Sequence, residues 1–419
     1  FPSRMIVDRL GRSFRNLRVS LTAACNYACT YCVPDGKRLL KARDELPADE
    51  LLKAVDYLID AVGIDKVRIT GGEPLVTPKF DEFLLGVMQL PLDDVGLTTN
   101  GQLLLKKKDV IAESGLKRMN ISLDTLNPMR FKSIARGGDL DTVLAGIDAM
   151  LELGLKLKIN TVPMRSQNAT EVVPLLDYCL ARGIELRFIE LMRMGHLLGS
   201  QSFAADFMSM EALLDLIGEK YEFERTDAPY DSTAVRFEIP NQGTFGIIAN
   251  ESEPFCKACT RLRLSSDGNI YGCLSSSNKH YIGDLIDQPR YAAIPKLQEV
   301  LGAALQDKKL AFQGEVTVMK LIGGEAITPA ARAPHLRMPH YACRTTSILN
   351  STSVTRSLGS DANETSNAAR PRGLARIARP WAVRLRGYPS GSLGKVGTRP
   401  KSRALRRPPG RRSVHFGVS

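Results

Sequence analysis

Leu17-Arg-Val-Ser-Leu-Thr-Ala-Ala-Cys25-Asn-Tyr-Ala-Cys29-Thr-Tyr-Cys32 decides how the rest of the chain is read. Leu17–Leu21 has the short alternating pattern of a strand. Three cysteines follow it at once, spaced C-x3-C-x2-C. Thiols this close suit a metal or a cluster better than disulfides in a chain with no secretory features. Zinc sites usually take four ligands. A four-iron cube normally takes four cysteines, so three leave one iron open.

Outward from this stretch, the pattern of strand then helix repeats. Strands are expected at Leu17–Leu21, Lys66–Thr70, Val95–Thr99, Met119–Leu123, Leu157–Val162 and Glu185–Glu190. Between them Leu51, Leu52, Val55, Leu58, Ile59 and Val62 recur at helical spacing, as do Val143, Leu144, Ile147, Met150 and Leu151 within Leu140–Leu153. Gly63, Gly115, Gly154 and Gly183 follow helices, where a left-handed residue ends the element. Strands separated by helices imply parallel pairing, as a partial or full barrel or a doubly wound sheet. In either, the site is expected at the carboxyl ends of the strands. Residues 200–240 read as a helix, Met210–Tyr221, and a linker. Residues 244–324 read as a smaller segment with its own cysteines and a helix near Lys296–Leu305.

The 419 residues are 43% apolar and 24% charged, within the globular norm. No run approaches the ~20 apolar residues of a membrane span. No basic-then-apolar segment opens the sequence, which points to the cytoplasm rather than secretion. The net charge of +12 is unevenly placed. Residues 325–419 hold 18 Lys+Arg against 3 Asp+Glu, leaving 39 basic and 42 acidic residues in 1–324. A body of net −3 is not a nucleic-acid binder by charge. The tail carries nine prolines, the lone Trp381 and runs such as Arg403–Arg412, a composition that predicts disorder. A nucleic-acid or membrane-surface arm and a peptide translated past a natural stop are the other readings of it.

A second triplet, Cys256-Lys-Ala-Cys259 with Cys273, is spaced C-x2-C-x13-C. Arg261 and Arg263 follow it, and residues i and i+2 share a face in extended chain. Arginine forks suit phosphate. Cys179, among Leu175, Leu176 and Leu180, reads as a buried structural thiol, and Cys343 has no evident partner.

The first triplet, with Tyr31 before its last cysteine, resembles the radical S-adenosylmethionine superfamily. Gly71-Gly72-Glu73-Pro74 after the second strand resembles that superfamily's methionyl-binding turn. Both triplets together, with Leu17–Cys32, Val67–Pro74, Thr98–Gly101, Asn120–Asp124, Lys158–Val162, Arg187–Met192 and Cys256–Arg263, resemble the GTP 3′,8-cyclase family of molybdenum cofactor biosynthesis over roughly residues 4–324.

That resemblance implies an α/β fold, an incomplete six-unit barrel over 1–240, with an extension over 241–324 that binds a second cluster and a disordered basic tail over 325–419. It implies two [4Fe–4S] clusters, one on Cys25, Cys29 and Cys32 and one on Cys256, Cys259 and Cys273. Tyr31, Gly72, Ser122 and Met192 would contact S-adenosylmethionine; Arg18, Arg68, Thr98, Lys158, Arg261 and Arg263 would bind GTP. Arg187 is a further candidate on charge alone. The implied chemistry is hydrogen abstraction from C3′ of the ribose by a 5′-deoxyadenosyl radical, attack on C8 of the guanine, and reduction to the cyclised nucleotide. No catalytic side chain is assigned beyond the clusters. Cyclic pyranopterin monophosphate synthase would act next, an electron donor is required, and the family leaves room for a homodimer. Family members end in Gly-Gly; here Gly323-Gly324 matches, with 95 residues after it. Rival readings are a superfamily relative acting on a peptide or sugar, which has no reason to carry Arg-x-Arg, and a non-catalytic iron–sulfur or zinc protein, which usually caps every metal.

Overall fold

Alternation governs the architecture. In the computed structural model, which describes residues 6–309 except 35, 36, 194 and 231, six strands run parallel: β1 Asn16–Ser20, β2 Lys66–Thr70, β3 Asp94–Thr99, β4 Arg118–Ser122, β5 Lys156–Thr161 and β6 Glu185–Ile189. Each lies within one residue of its expected bounds. Leu17, Val19, Val67, Ile69, Leu97, Met119, Ile121, Leu157, Ile159, Leu186 and Phe188 are buried. The residues between them, among them Arg18, Arg68, Asn120 and Lys158, point the other way, because successive strand side chains alternate.

Helices cover the apolar face. They are α1 Ala48–Val62, α2 Lys79–Val87, α3 Lys108–Ser114, α4 Pro128–Ala135, α5 Leu140–Glu152 and α6 Val172–Leu180. Leu51, Val55, Leu58 and Val62 of α1 are buried as their spacing requires, while Leu52 and Ile59 flank them half-buried. Gly63 closes α1 at φ 74°, its N–H donating to Ile59 O at 2.8 Å. Asp139 caps α5 by accepting from the Thr142 N–H. Cys179 of α6 is fully buried in this layer.

The remaining chain gives α7 Gln201–Asp206, α8 Met210–Gly218, β7 Glu224–Thr226, β8 Val235–Ile239, β9 Gly243–Ile248, β10 Arg261–Leu264, β11 Asn269–Tyr271, β12 His280–Tyr281, α9 Gly283–Ile286 and α10 Arg290–Gln306. The linker expected before residue 240 therefore contains two strands. Both edges of the six-strand core are extended, in the order β12-β11-β10-β1-β2-β3-β4-β5-β6-β9-β8-β7. β10 is parallel to β1 and β9 parallel to β6, so residue 240 falls in a hairpin turn of a continuous sheet. One cavity is lined by residues from β1 to β6 and also by Ile248 and Arg261, so the sheet curves around it. Phe188, Phe237 and Phe245 pack on one another behind the β6 edge.

Helix α10 starts six residues before the expected position, with Pro295 inside it. Tertiary contacts to α1 outweigh the lost hydrogen bond: Arg290 pairs with Asp56 and Asp60, and Gln298 Nε2 donates to Ala61 O at 3.0 Å. No helix of the described residues is long and apolar enough to cross a membrane. The chain separates into units Phe1–Arg337 and Met338–Ser419, and every described residue belongs to the first. The basic tail, Gly323-Gly324, Cys343 and Trp381 lie outside the described residues.

Two glycines near α10 should behave oppositely. A Cβ at Gly272 would fall 1.6 Å from Ala304 O, whereas one at Gly302, inside α10, meets nothing within 4 Å. Gly272→Ala should cost at least about 1–3 kcal/mol by overpacking, and Gly302→Ala should gain roughly 0.5–1 kcal/mol of helix stability. Denaturant midpoints of the two variants check this; a shift in the same direction for both would contradict it.

Candidate active site between two cysteine triplets

The first triplet sits on the loop leaving β1. Cys32 N–H donates to Cys29 O at 2.9 Å, Tyr27 N–H approaches Cys25 Sγ at 3.4 Å, and Ala28 and Thr30 donate to the carbonyls of Ala135 and Ile134. Tyr31 Oη donates to Asp124 Oδ2 at 2.9 Å, and Val162 N–H donates to Asp124 Oδ1 at 2.8 Å. The Gly71-Gly72 turn approaches this loop closely. Gly72 N–H donates to Thr22 O and Glu73 N–H to Ala24 O, both at 2.8 Å. A Cβ on Gly72 would lie 2.3 Å from the carbonyl oxygens of both Ala23 and Ala24. The two glycines, expected to let a ligand approach, also let the turn hold the cysteine loop.

Two buried carboxylates complete that support. Glu73 accepts from Leu75 N–H at 3.0 Å, Thr99 Oγ1 at 2.7 Å and Asn100 N–H at 2.7 Å. Glu45 Oε1 accepts from Thr22 Oγ1, Ala23 N–H and Ser266 Oγ, and Glu45 Oε2 pairs with Lys79 at 3.3 Å. Glu45 thus ties the loop to the turn after β10.

The second triplet lies at the opposite end of β1. Cys256 and Cys259 precede β10, and Thr260 O accepts from the N–H groups of Arg15 and Asn16 at the start of β1. β11 runs back antiparallel to β10, which returns Cys273 to the same end. The two triplets are separated by a strand length, roughly 15 Å at about 3.3 Å per residue. The site is therefore not confined to the carboxyl ends of the strands. All six cysteines are free and half-buried. Among the described residues no three His, Cys, Asp or Glu stand in single-ion geometry. A cube's three cysteines bind three different irons, so their sulfurs stand further apart than single-ion ligands.

The triplets differ electrostatically. Burial pushes Cys25 up to about 11 and Cys32 up to about 12, and raises Cys29 further above its ordinary value. At Cys259 burial is outweighed by Arg261, Lys308 and Arg263, which pull the thiol down to about 6. Lys308 Nζ donates to Cys259 Sγ at 3.3 Å and to Arg261 O at 2.9 Å. Three free thiols at each end, one already favouring the thiolate, are a donor set that fits iron–sulfur ligation.

Between the triplets lies the cavity, about 520 Å³. Arg18, Arg68, Thr98, Ser122, Lys158, Arg187 and Arg261 line it. Arg263 is buried beside Arg18 in the strand register. Gly72 lies behind the cysteine loop, and Met192 follows β6 half-buried. Arg68 is held by Asp94 at 2.5 Å and Lys158 by Glu185 at 2.8 Å. By contrast Arg18, Arg261 and Arg263 pair with no carboxylate among the described residues. Burial, with Arg261 and Arg263 next, lowers Arg18 to about 9. Arg261 stacks 4.3 Å over Phe255. Lys66, Arg118, Asn120, Asn160 and Arg236 also line the cavity and were not singled out from sequence; their inward position on alternating strands was the available signal.

The signature of the Radical SAM superfamily matches residues 19–179, and that of Molybdenum Cofactor Synthesis C matches residues 184–313. A GTP 3′,8-cyclase of Synechocystis sp. is 39% identical over 65% of this chain and 82% of its own length. The chain belongs to the GTP 3′,8-cyclase family. A Helicobacter pylori relative with the same description is 39% identical over 68% of this chain and 85% of its own, and one from Listeria monocytogenes is 36% identical over 73% and 91%. The two signatures cover both triplets and the strands β2 to β6.

Glu73 gives the site a pH signature. Burial pushes its carboxyl from 4.5 up to about 7, against three donors that favour the anion. The folded state holds this proton more tightly than the unfolded one. Its contribution is thus full below about pH 4.5 and is lost as pH rises through about 7, on the order of 3 kcal/mol at about 1.4 kcal/mol per unit. Glu73→Gln should flatten the fall in unfolding free energy between pH 5 and 8. Parallel profiles for the two proteins would show that Glu73 does not titrate in this window.

Proposed function

We propose that the chain is a lyase, converting GTP to (8S)-3′,8-cyclo-7,8-dihydroguanosine 5′-triphosphate with S-adenosylmethionine as radical source, the first step of molybdenum cofactor biosynthesis. The observation that carries this reading is a cluster of guanidiniums with no carboxylate partner among the described residues, Arg18 and Arg261 on the cavity wall and Arg263 buried beside Arg18, in a chain with a cysteine triplet beyond each end of β1. A triphosphate carries a charge of about −4 at neutral pH. A body of net −3 does not attract it globally, so local cations must.

Cys25, Cys29 and Cys32 would hold one [4Fe–4S] cluster, and Cys256, Cys259 and Cys273 a second whose open iron meets the guanine. The first cluster supplies, when bound, the electron that cleaves S-adenosylmethionine to methionine and a 5′-deoxyadenosyl radical. The chain's own share is placement. Tyr31, Gly72, Ser122 and Met192 would hold S-adenosylmethionine at the end near the first triplet. Arg18, Arg68, Thr98, Lys158, Arg261 and Arg263, with Arg187, would hold the nucleotide along the cavity. The wall of inward polar side chains, backed by an apolar layer, fixes the ribose between the two ends. An electron donor and a downstream cyclic pyranopterin monophosphate synthase are the partners this chemistry requires.

The test is anaerobic turnover of the reconstituted full chain with GTP, S-adenosylmethionine and a reductant. Equal amounts of 5′-deoxyadenosine and cyclised nucleotide are expected. Cofactor cleavage without a GTP product would move the assignment to another radical enzyme. Arg261→Ala should raise the GTP dissociation constant roughly ten- to a hundred-fold, the loss expected for a desolvated charged contact; unchanged GTP binding would remove Arg261 from the site.

A further inference from the structure

One arrangement occurs twice on the cavity wall. Arg68 of β2 lies beside Gly96 of β3 in register. Arg118 of β4 flanks the same glycine, two residues before the Thr98–Asn120 pair. Elsewhere, Arg187 of β6 lies beside Gly246 of β9, and Gly246 beside Arg236 of β8. In both cases a glycine on the middle strand separates two inward arginines. A Cβ on Gly96 would come 3.3 Å from Arg68 Cδ, and one on Gly246 3.1 Å from the Ala234 Cβ and 3.7 Å from Arg187 Cγ. The missing side chains let the neighbouring residues close over the strand, so that Arg68 lies flat across Gly96 and Ala234 and Arg187 approach Gly246.

Each pair shares one carboxylate. Asp94 bridges Arg68 and Arg118. Glu185 meets Arg187 Nε at 2.7 Å, Arg236 at 3.5 Å and also Lys158 at 2.8 Å. Asp94 thus meets two cations and Glu185 three. The second arginine of each pair is also incompletely bonded: Nε of Arg118 and Nε of Arg236 are buried with no hydrogen-bond partner. Both residues line the cavity. An ion pair built only to hold strands together would satisfy the fork. Here the Nε of each guanidinium has no protein partner, so part of the fork that can grip a phosphate is unspent and becomes available once the arginine shifts from its carboxylate.

We propose that Arg118 and Arg236 bind the terminal phosphates of the nucleoside triphosphate, which displaces part of the hold that Asp94 and Glu185 have on them. This rests on the GTP reading and deepens it: the two arginines make binding depend on the number of phosphates.

The experiment is calorimetric binding of GTP, GDP, GMP and inorganic tripolyphosphate to the full, cluster-loaded chain and to Arg118→Gln, Arg236→Gln and the corresponding Lys variants, with thermal melting of each. For either Gln variant, GTP affinity should fall roughly ten- to a hundred-fold while GMP affinity stays within about twofold. The Lys variants, which keep the charge and lose the fork, should fall between, and they decide the matter if a Gln variant melts abnormally. Equal losses for GTP, GDP and GMP, or no loss, would overturn the proposal while leaving the GTP reading intact. Wild-type protein that binds tripolyphosphate through these arginines but does not bind GTP would leave the anion subsite standing and remove the GTP reading.

Discussion

Positive charge inside the sheet is the constraint on which this molecule turns. A barrel interior is ordinarily filled by branched apolar side chains. Here the inward positions of six parallel strands carry arginine, lysine, asparagine and threonine, and the strands can tolerate this because their outward positions are mostly apolar and buried. Burial alone lowers the affinity of Arg18 for its proton, and Arg261 and Arg263 add to that. Such an interior is costly without an anion. The apolar helical layer of α1 to α6 stabilises the sheet from outside and leaves the interior to the ligand.

The same sheet explains how two cysteine triplets far apart in sequence come to lie beyond the two ends of one strand. β1 begins beside Thr260 and ends at the loop of Cys25, so a single strand spans the distance between the thiol sets. The extension is built as strands added to both sheet edges, which makes it part of the barrel wall. Glu45 joins the two ends of that logic, since its carboxylate accepts from the first cysteine loop and from Ser266 after β10. A change at Glu45 would therefore loosen the relation between the two sets of thiols.

Strand alternation and helical spacing made the core legible in sequence, because both periods are short and each strand is backed by its own helix. The cysteine spacings were legible for the same reason: each triplet is local in sequence. What stayed hidden was non-local. Arg118 and Arg236 are 118 residues apart and acquire meaning only through the register that sets each beside a glycine. Asp94 and Glu185 carry no local signal of their role, which comes from the arginines the strand register brings to them. Strand β7 has three residues and an exposed pattern, so no period announced it. The proline in α10 is a local stop signal that contacts with α1 override.

The cavity's cations divide into two kinds, and the division has a physical reading. Arg68, Arg118, Arg187, Arg236 and Lys158 share two carboxylates, so their charge is partly offset before any ligand arrives. Arg18, Arg261 and Arg263 have, among the described residues, only thiols as nearby acidic groups, and Cys259 titrates low because of them. An anion entering the cavity meets the uncompensated group with no competitor and the compensated group only by exchange. The first group sets attraction, and the second sets a threshold that a weakly charged ligand does not cross. Discrimination by charge therefore follows from where the carboxylates are placed rather than from the number of arginines.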